Sequence, residues 1–507
     1  MLHSVKGDFS KFRLWWVNSM DILKLQIHEV TEALQQKKIS ATELTQFYIN
    51  RIEKLNPQLN AFITKDSTAL DQAKLVDQKI LKGDSSKLLG IPMGIKDMLC
   101  TKGLRTTAAS KMLENFIPPY DSTVVRRLKD SGAILLGKLN QDEFAMGSSN
   151  ENSYFGPTKN PWNPEYVPGG SSGGSAAAQA SKLSVATIGT DTGGSIRQPA
   201  SFCGVVGIKP TYGRVSRYGI IAFASSLDQA GPMTTTVKDA ALILEVICGH
   251  DEKDATTTQK KVPEFSKQLS SNVKGLKIGV LSEALKGGLD SDVEKSFQSS
   301  IETFKKAGAE IVEVSLPLLQ HSISAYYLIA SSEASSNLAR YDGVRFGFRA
   351  QMTESGVTLD DFYSATRGQG FGSEVKRRIM MGTYCLSSGY IEAYYEKACK
   401  VRRLISDQYT EAFKSCDIIL SPVSATPAFK IGERFSNPLQ MYLNDLFTTS
   451  TNLAGLPGMS VPFSLSKDRL PIGVQLTAPA FQEQTLLNVG LFLEQNSNVG
   501  QEKPHVF

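Results

Sequence analysis

Pro168-Gly-Gly-Ser-Ser-Gly-Gly-Ser175-Ala-Ala-Ala-Gln-Ala180 is the stretch from which the fold is best read. Seven Gly and Ser residues in a row are poor core material, and in isolation they suit a flexible linker. The Ala-rich run that follows at once is a good helix former. The spacing therefore predicts a Gly-rich loop feeding a helix N-terminus, with backbone N–H groups directed at whatever sits there. A glycine loop at that place also lets the chain take positive φ and lets a ligand approach closely.

A second such loop follows. Ile188-Gly-Thr-Asp191-Thr-Gly-Gly-Ser195-Ile-Arg-Gln-Pro199 comes after an apolar, strand-like run. Thr192, Gly193 and Gly194 can present consecutive N–H groups as an anion-binding nest, which suits the oxyanion of an acyl-transfer reaction. Ser195 follows the nest directly and is the candidate nucleophile. Asp191 and Arg197 flank it and read as a supporting ion pair. Nearby Cys203 reads as a reduced packing residue.

A serine hydroxyl needs a base. The chain has only five histidines, at 3, 28, 250, 321 and 505, and none lies in these loops. Gly90-Ile-Pro-Met-Gly-Ile-Lys96-Asp97 instead sets one lysine in an apolar, turn-rich context. Most lysines are solvated surface groups, but a buried one has a lowered pKa and can act as a neutral base. Ser–Lys arrangements are variants of the serine triad.

The wider chain agrees with an enzyme. It has 507 residues, 41% hydrophobic and 21% charged, the balance of an ordinary globular protein with ample core. The net charge of +5 gives no strong reason for direct nucleic-acid binding. No apolar run reaches the roughly 18 residues of a membrane span. The six cysteines are scattered without CxxC or zinc spacing, which suits a reducing compartment. Gly132-Ala-Ile-Leu-Leu-Gly-Lys138-Leu139 nearly spells a phosphate loop, but Leu139 replaces the hydroxyl that would meet Mg²⁺. Its apolar middle suits a buried strand instead.

Helix and strand signals alternate. Ser40-Ala-Thr-Glu43 is a capping box, and its helix should end at Asn56-Pro57. Helices are also expected over 122–130, 236–248 and 290–306. Strands are expected over 133–136, 277–281, 310–314 and 417–420. The region 324–413 reads as helix-rich, and 251–271 as a polar surface loop. No clear linker divides the chain, so the expectation is one large α/β domain over 20–507. The first 19 residues carry three basic residues and a short apolar run (Leu14 to Val17). They read as an upstream start, with Met20 the natural beginning; a transit peptide is the alternative.

GIPMGIKD, PGGSSGGSAAA and GTDTGGSIRQPA, in this order, resemble the amidase signature family from Met20 nearly to the end. The resemblance implies a central mixed β-sheet wrapped by helices. It implies Ser195 as the acylated nucleophile, Ser171 as a bridging serine in a non-proline cis peptide, and Lys96 as the ultimate base. The oxyanion hole would be the backbone of Thr192, Gly193, Gly194 and Ser195.

Further stretches resemble the family members that hydrolyse glutamine for tRNA-dependent amidation. These are 142–147, 151–155, Ser331–Asn337, Val375–Arg378, Gly382–Tyr384 and Met441–Asp445. Glutamine is a zwitterion, so its pocket needs one cation and one anion. The resemblance assigns Arg378 to the carboxylate and Asp445 to the ammonium, with Tyr327 or Tyr326 beside them. Arg378 alone would read as a helix-surface charge. The resemblance further implies a heterotrimer with a B-type subunit, which would hold ATP, Mg²⁺ and most of the tRNA, and a small C-type subunit. This chain would bind no cofactor or metal, touch no membrane and work in the cytoplasm, or in mitochondria or plastids if residues 1–19 are a transit peptide. The competing readings are a stand-alone amidase, a catalytically silent scaffold subunit, and a nucleotide-binding ligase.

Overall fold

The computed structural model describes residues 22–353, 356–433 and 444–507. The N-terminal extension and Met441–Leu443 lie outside the described residues. Eleven strands form one mixed sheet in the order β1-β3-β2-β4-β6-β5-β10-β11-β9-β7-β8. Their ranges are β1 Phe62–Lys65, β2 Pro92–Lys96, β3 Ile134–Leu139, β4 Ala186–Asp191, β5 Val206–Lys209, β6 Gln229–Thr234, β7 Lys277–Leu281, β8 Glu310–Val314, β9 Ile418–Pro422, β10 Gly458–Leu465 and β11 Pro471–Thr477. Helices cover the sheet, so β2, β3 and β4 are buried along their whole length. That is why they read as short apolar runs rather than alternating ones.

The site is set by one detail of this sheet. β2 runs parallel to both β3 and β4, with Ile95 opposite Ile188 and Lys96 opposite Leu139. Lys96 ends β2 and Asp191 ends β4, so both stand at the carboxyl edge of neighbouring parallel strands. In open α/β sheets ligands bind at that edge. The Gly/Ser loop enters the helix Gly173–Ala180 beside it.

Side-chain caps hold the helices expected from the sequence. Ser40 and Glu43 close the box on Ala41–Leu59, Ser122 caps Thr123–Asp130, Thr236 caps Val237–Ile247, and Asp290 caps Ser291–Lys306. The first of these helices does not stop at Pro57. It carries Pro57 within its last turn and ends at Asn60, whose N–H still reaches the Asn56 carbonyl at 2.7 Å. Asn56 meanwhile exchanges hydrogen bonds with the Phe62 backbone, pinning the entry to β1. The near phosphate loop is β3 itself. Its Lys138 is fully buried and donates to the Leu99 carbonyl and to Thr101 Oγ1, a structural role.

Candidate active site

Lys96 is fully buried, with Nζ 2.8 Å from Ser171 Oγ, 2.8 Å from Ser172 Oγ and 3.4 Å from the Thr190 carbonyl. Burial pushes its ammonium down from the ordinary 10.5 to about 7, although the Asp142, Asp191 and Asp228 carboxylates pull the other way. Ser172 was not singled out from the sequence. Its hydroxyl donates to the Thr190 carbonyl (3.0 Å) and accepts from the Thr190 N–H (3.2 Å), which clamps the Gly/Ser loop to β4. The only sequence signal for it was the doubled serine.

The peptide bond between Gly170 and Ser171 is cis. The N–H of Ser172 donates to the Ser195 carbonyl at 3.2 Å, so the two loops lie against each other. Lys96 and Ser171 are sealed from solvent, whereas Ser195 keeps 8% exposure. Ser195 is thus the member of the set that solvent can reach.

Two backbone expectations need correction. Gly174 N–H, at the start of the helix, donates to the Asn140 carbonyl and to Asn150 Oδ1, both at 3.1 Å. That helix N-terminus anchors the loop rather than opening onto a ligand. Within the nest, Gly194 N–H donates to Asp191 Oδ1 at 2.8 Å and Ile196 N–H to Asp191 Oδ2 at 3.2 Å. Asp191 therefore claims the Gly194 amide, and Thr192, Gly193 and Ser195 remain as oxyanion candidates. Gly193 has a packing reason to be glycine: a Cβ there would come within 2.5 Å of the Tyr326 ring.

Asp191 in turn is held by Arg197. The guanidinium reaches both carboxylate oxygens, at 3.0 and 3.1 Å, with both side chains fully buried. Arg197 also donates to Gln475 Oε1 and the Thr448 carbonyl, and Asn452 donates to Asp191. Burial alone would push the Asp191 carboxyl up, but Arg197, Lys209 and Asn452 outweigh it and hold it well below the usual range. The pair expected from the sequence is thus a fully satisfied network under the Ser195 loop. Cys203 is buried and donates to the Pro168 carbonyl, and burial pushes its thiol well up, as suits a packing residue.

A second cluster adjoins the loop. Arg378 is 2% exposed on the helix Ser373–Cys385, so it is no surface charge. Its Nε donates to Glu374 Oε1 at 2.8 Å, and its guanidinium lies 4.9 Å from the Tyr327 ring centroid and 5.6 Å from that of Phe223. Tyr327 Oη donates to Asp445 Oδ2 at 3.1 Å, and Ser148 Oγ to the same oxygen at 2.7 Å. Burial pushes the Asp445 carboxyl up to about 7 against these hydrogen bonds and against Arg378. Both tyrosines on the helix Ser322–Asn337 are buried, with different tasks. Tyr326 packs on Gly193, while Tyr327 bridges Arg378 and Asp445. The two helices meet closely at Gly382, where a Cβ would come within 1.9 Å of the Ser331 carbonyl oxygen. Ser148 is a further residue that sequence reasoning missed.

A cavity of about 470 Å³ lined by Asp66, Thr68, Gln72 and Lys102 includes none of these residues. Among the described residues, no group of three or more His, Cys, Asp or Glu side chains is placed to hold a metal ion. No described helix is long and apolar enough to cross a membrane.

A large mixed sheet wrapped by helices, with a buried lysine at a strand end against a Gly/Ser-rich loop, is the arrangement of an amidase, and the amidase family model matches residues 43–487. The chain belongs to the amidase family. It is 63% identical over 489 residues to a Bdellovibrio bacteriovorus protein named as the A subunit of glutamyl-tRNA(Gln) amidotransferase, covering 96% of this chain and all of that one. The Geotalea daltonii protein of the same name is 56% identical over 480 residues, covering 94% of this chain and 98% of that one. The crystal structure of the corresponding Thermotoga maritima protein, which bears that name too, matches with a TM-score of 0.78 at 43% identity, covering 94% and 96% of the two chains.

Proposed function

We propose that this chain is the glutaminase subunit of a glutamyl-tRNA(Gln) amidotransferase. Its nearly full-length similarity to proteins of that name supports the reading. The observation that carries the chemistry is Lys96, a buried amine in contact with Ser171 and Ser172.

The hydrogen count gives the relay its direction. Ser172 spends its own proton on the Thr190 carbonyl and so accepts from Lys96. A neutral Lys96 donates its two protons to Ser172 and the Thr190 carbonyl. Its lone pair then faces the Ser171 hydroxyl. Ser171 passes its proton to Lys96 while taking one from Ser195, which attacks the side-chain amide of glutamine. The N–H groups of Thr192, Gly193 and Ser195 hold the oxyanion. Ammonia leaves after protonation through the same relay, and water then hydrolyses the glutamyl ester. Arg378 holds the substrate carboxylate, and Asp445, braced by Ser148 and Tyr327, holds the ammonium.

The ammonia passes to a B-type partner, which with ATP and Mg²⁺ converts Glu-tRNA(Gln) to Gln-tRNA(Gln); a small C-type subunit completes a cytoplasmic heterotrimer. In this reading residues 1–19 are an upstream extension to one amidase domain over 20–507. Co-expression with candidate B and C subunits tests the proposal. A stable complex that forms Gln-tRNA(Gln) from glutamine, ATP and Glu-tRNA(Gln) supports it. A lone chain that cleaves unrelated amides and shows no such reaction refutes it.

A further inference from the structure

Asp228 lies outside the relay and the glutamine pocket, yet it touches the supports of both. It directly precedes β6, which pairs antiparallel with β4 so that Gln229 lies opposite Asp191. The next step outward sets Asp228 beside Thr192, and Thr192 Oγ1 donates to Asp228 Oδ1 at 2.7 Å. On its other side the chain folds back in a tight turn, with the N–H groups of Leu227 and Asp228 both reaching the Ala224 carbonyl at 2.9 Å. That turn aims the Phe223 N–H (2.9 Å) and the Ala224 N–H (3.1 Å) at Asp228 Oδ2. The Phe223 ring lies against the Arg378 guanidinium. One buried carboxylate therefore joins the first residue of the oxyanion loop to the ring beneath the pocket cation.

The length of the substrate gives this joint a use. Arg378 and the nucleophile loop must grip the two ends of one glutamine, the α-carboxylate and the side-chain amide. Their separation must match that chain to within about half an ångström for productive attack. Thr192 and Phe223 are far apart in sequence, and each could shift by itself. With both held by Asp228, which is set in turn by the β4–β6 pairing, the span is fixed by the sheet.

We infer that Asp228 is a positioning residue that sets the span between the carboxylate grip and the oxyanion loop, and so selects glutamine over the shorter asparagine. The inference rests on the glutaminase reading above. Each half of the joint has its own signature. Thr192→Val cuts only the tie to the oxyanion loop and lowers mainly kcat. Phe223→Leu removes only the ring beneath Arg378 and raises mainly the KM for glutamine. Asp228→Ala releases both at once.

The test measures ammonia release from glutamine and from asparagine by the full-length chain in its complex, for the parent and these three variants, with thermal unfolding followed in parallel. For Asp228→Ala, glutamine kcat/KM should fall by at least about tenfold and the glutamine-to-asparagine ratio should fall with it. A ratio unchanged within about twofold, or equal losses for both amides that track lost stability, overturns the inference. Should Asp228→Ala not fold, the Thr192→Val/Phe223→Leu double variant decides. Sites joined through Asp228 give non-additive losses, and simple multiplication of the two single effects overturns the joint. A parent that releases no ammonia from glutamine defeats the glutaminase reading itself, a result distinct from any of these.

Discussion

Lowering the pH puts the wrong proton on two residues of this site. In the proposed relay Lys96 must be neutral to act as a base, and its amine is pushed down to about 7. In the proposed pocket Asp445 must be ionised to take the substrate ammonium, and its carboxyl is pushed up to about 7. Both active forms are deprotonated, so activity rises with pH through this window and is lost below it. At pH 6 each group is about one-tenth in its active form, from the one-unit distance to its pKa. Free enzyme needs both groups, so kcat/KM should fall about 100-fold from its plateau, with a limiting slope of two. Bound glutamine keeps Asp445 ionised through its ammonium, so kcat reports Lys96 alone and should fall only about tenfold, with a slope of one. An ordinary lysine would be about one part in a thousand neutral at pH 7.5, and its limb would rise beyond pH 9. Steady-state ammonia release between about pH 5.5 and 8.5 measures both profiles. A flat kcat across this range, or one still rising steeply at its upper end, refutes Lys96 as the base. Equal slopes for kcat and kcat/KM refute Asp445 as the ammonium site.

Arg197→Ala leaves Asp191 buried without its bidentate partner, so chemical denaturation should show about 3–5 kcal/mol of lost stability. A loss below about 1 kcal/mol would mean that the pair does not hold the nucleophile loop. Ser172→Ala removes the acceptor that takes one Lys96 proton, so kcat should fall about tenfold or more at nearly constant KM. A rise in KM alone would place Ser172 in substrate binding instead.

Much of this site was legible because its chemistry lies in contiguous loops. Ser171 and Ser195 sit in Gly-rich runs that read as loops, although these runs lie buried rather than outside the core as their composition suggested, and Lys96 sits in an apolar run that no surface strand would carry. The strands β7 and β8 and the capped helices were equally plain, since each is decided by near neighbours in sequence. What stayed hidden depended on distant partners. The claim of Asp191 on the Gly194 amide needs the turn at the end of β4, and the spent N–H of Gly174 needs Asn140 and Asn150 folded beneath it. Arg378 was assigned through the resemblance, but its burial was hidden: its local sequence reads as one of three surface cations, and Phe223 and Tyr327 close over it only in the fold. Ser148 and Asp228 have no local pattern at all, because they act on residues 297 and 36 positions away. Pro57 misled because the ring at the last turn of a helix does not block the Asn60 N–H from reaching Asn56.

In the proposed reaction Ser195, served by Lys96 through Ser171, becomes acylated by glutamine. Acid quench of the enzyme during turnover, followed by peptide mapping in a mass spectrometer, tests it most directly. A glutamyl ester on the peptide containing Ser195, absent from Ser195→Ala and formed far more slowly in Lys96→Ala, is the expected result. An adduct on Cys203 or any other residue, or a Ser195→Ala variant that still releases ammonia at the parent rate, would contradict it.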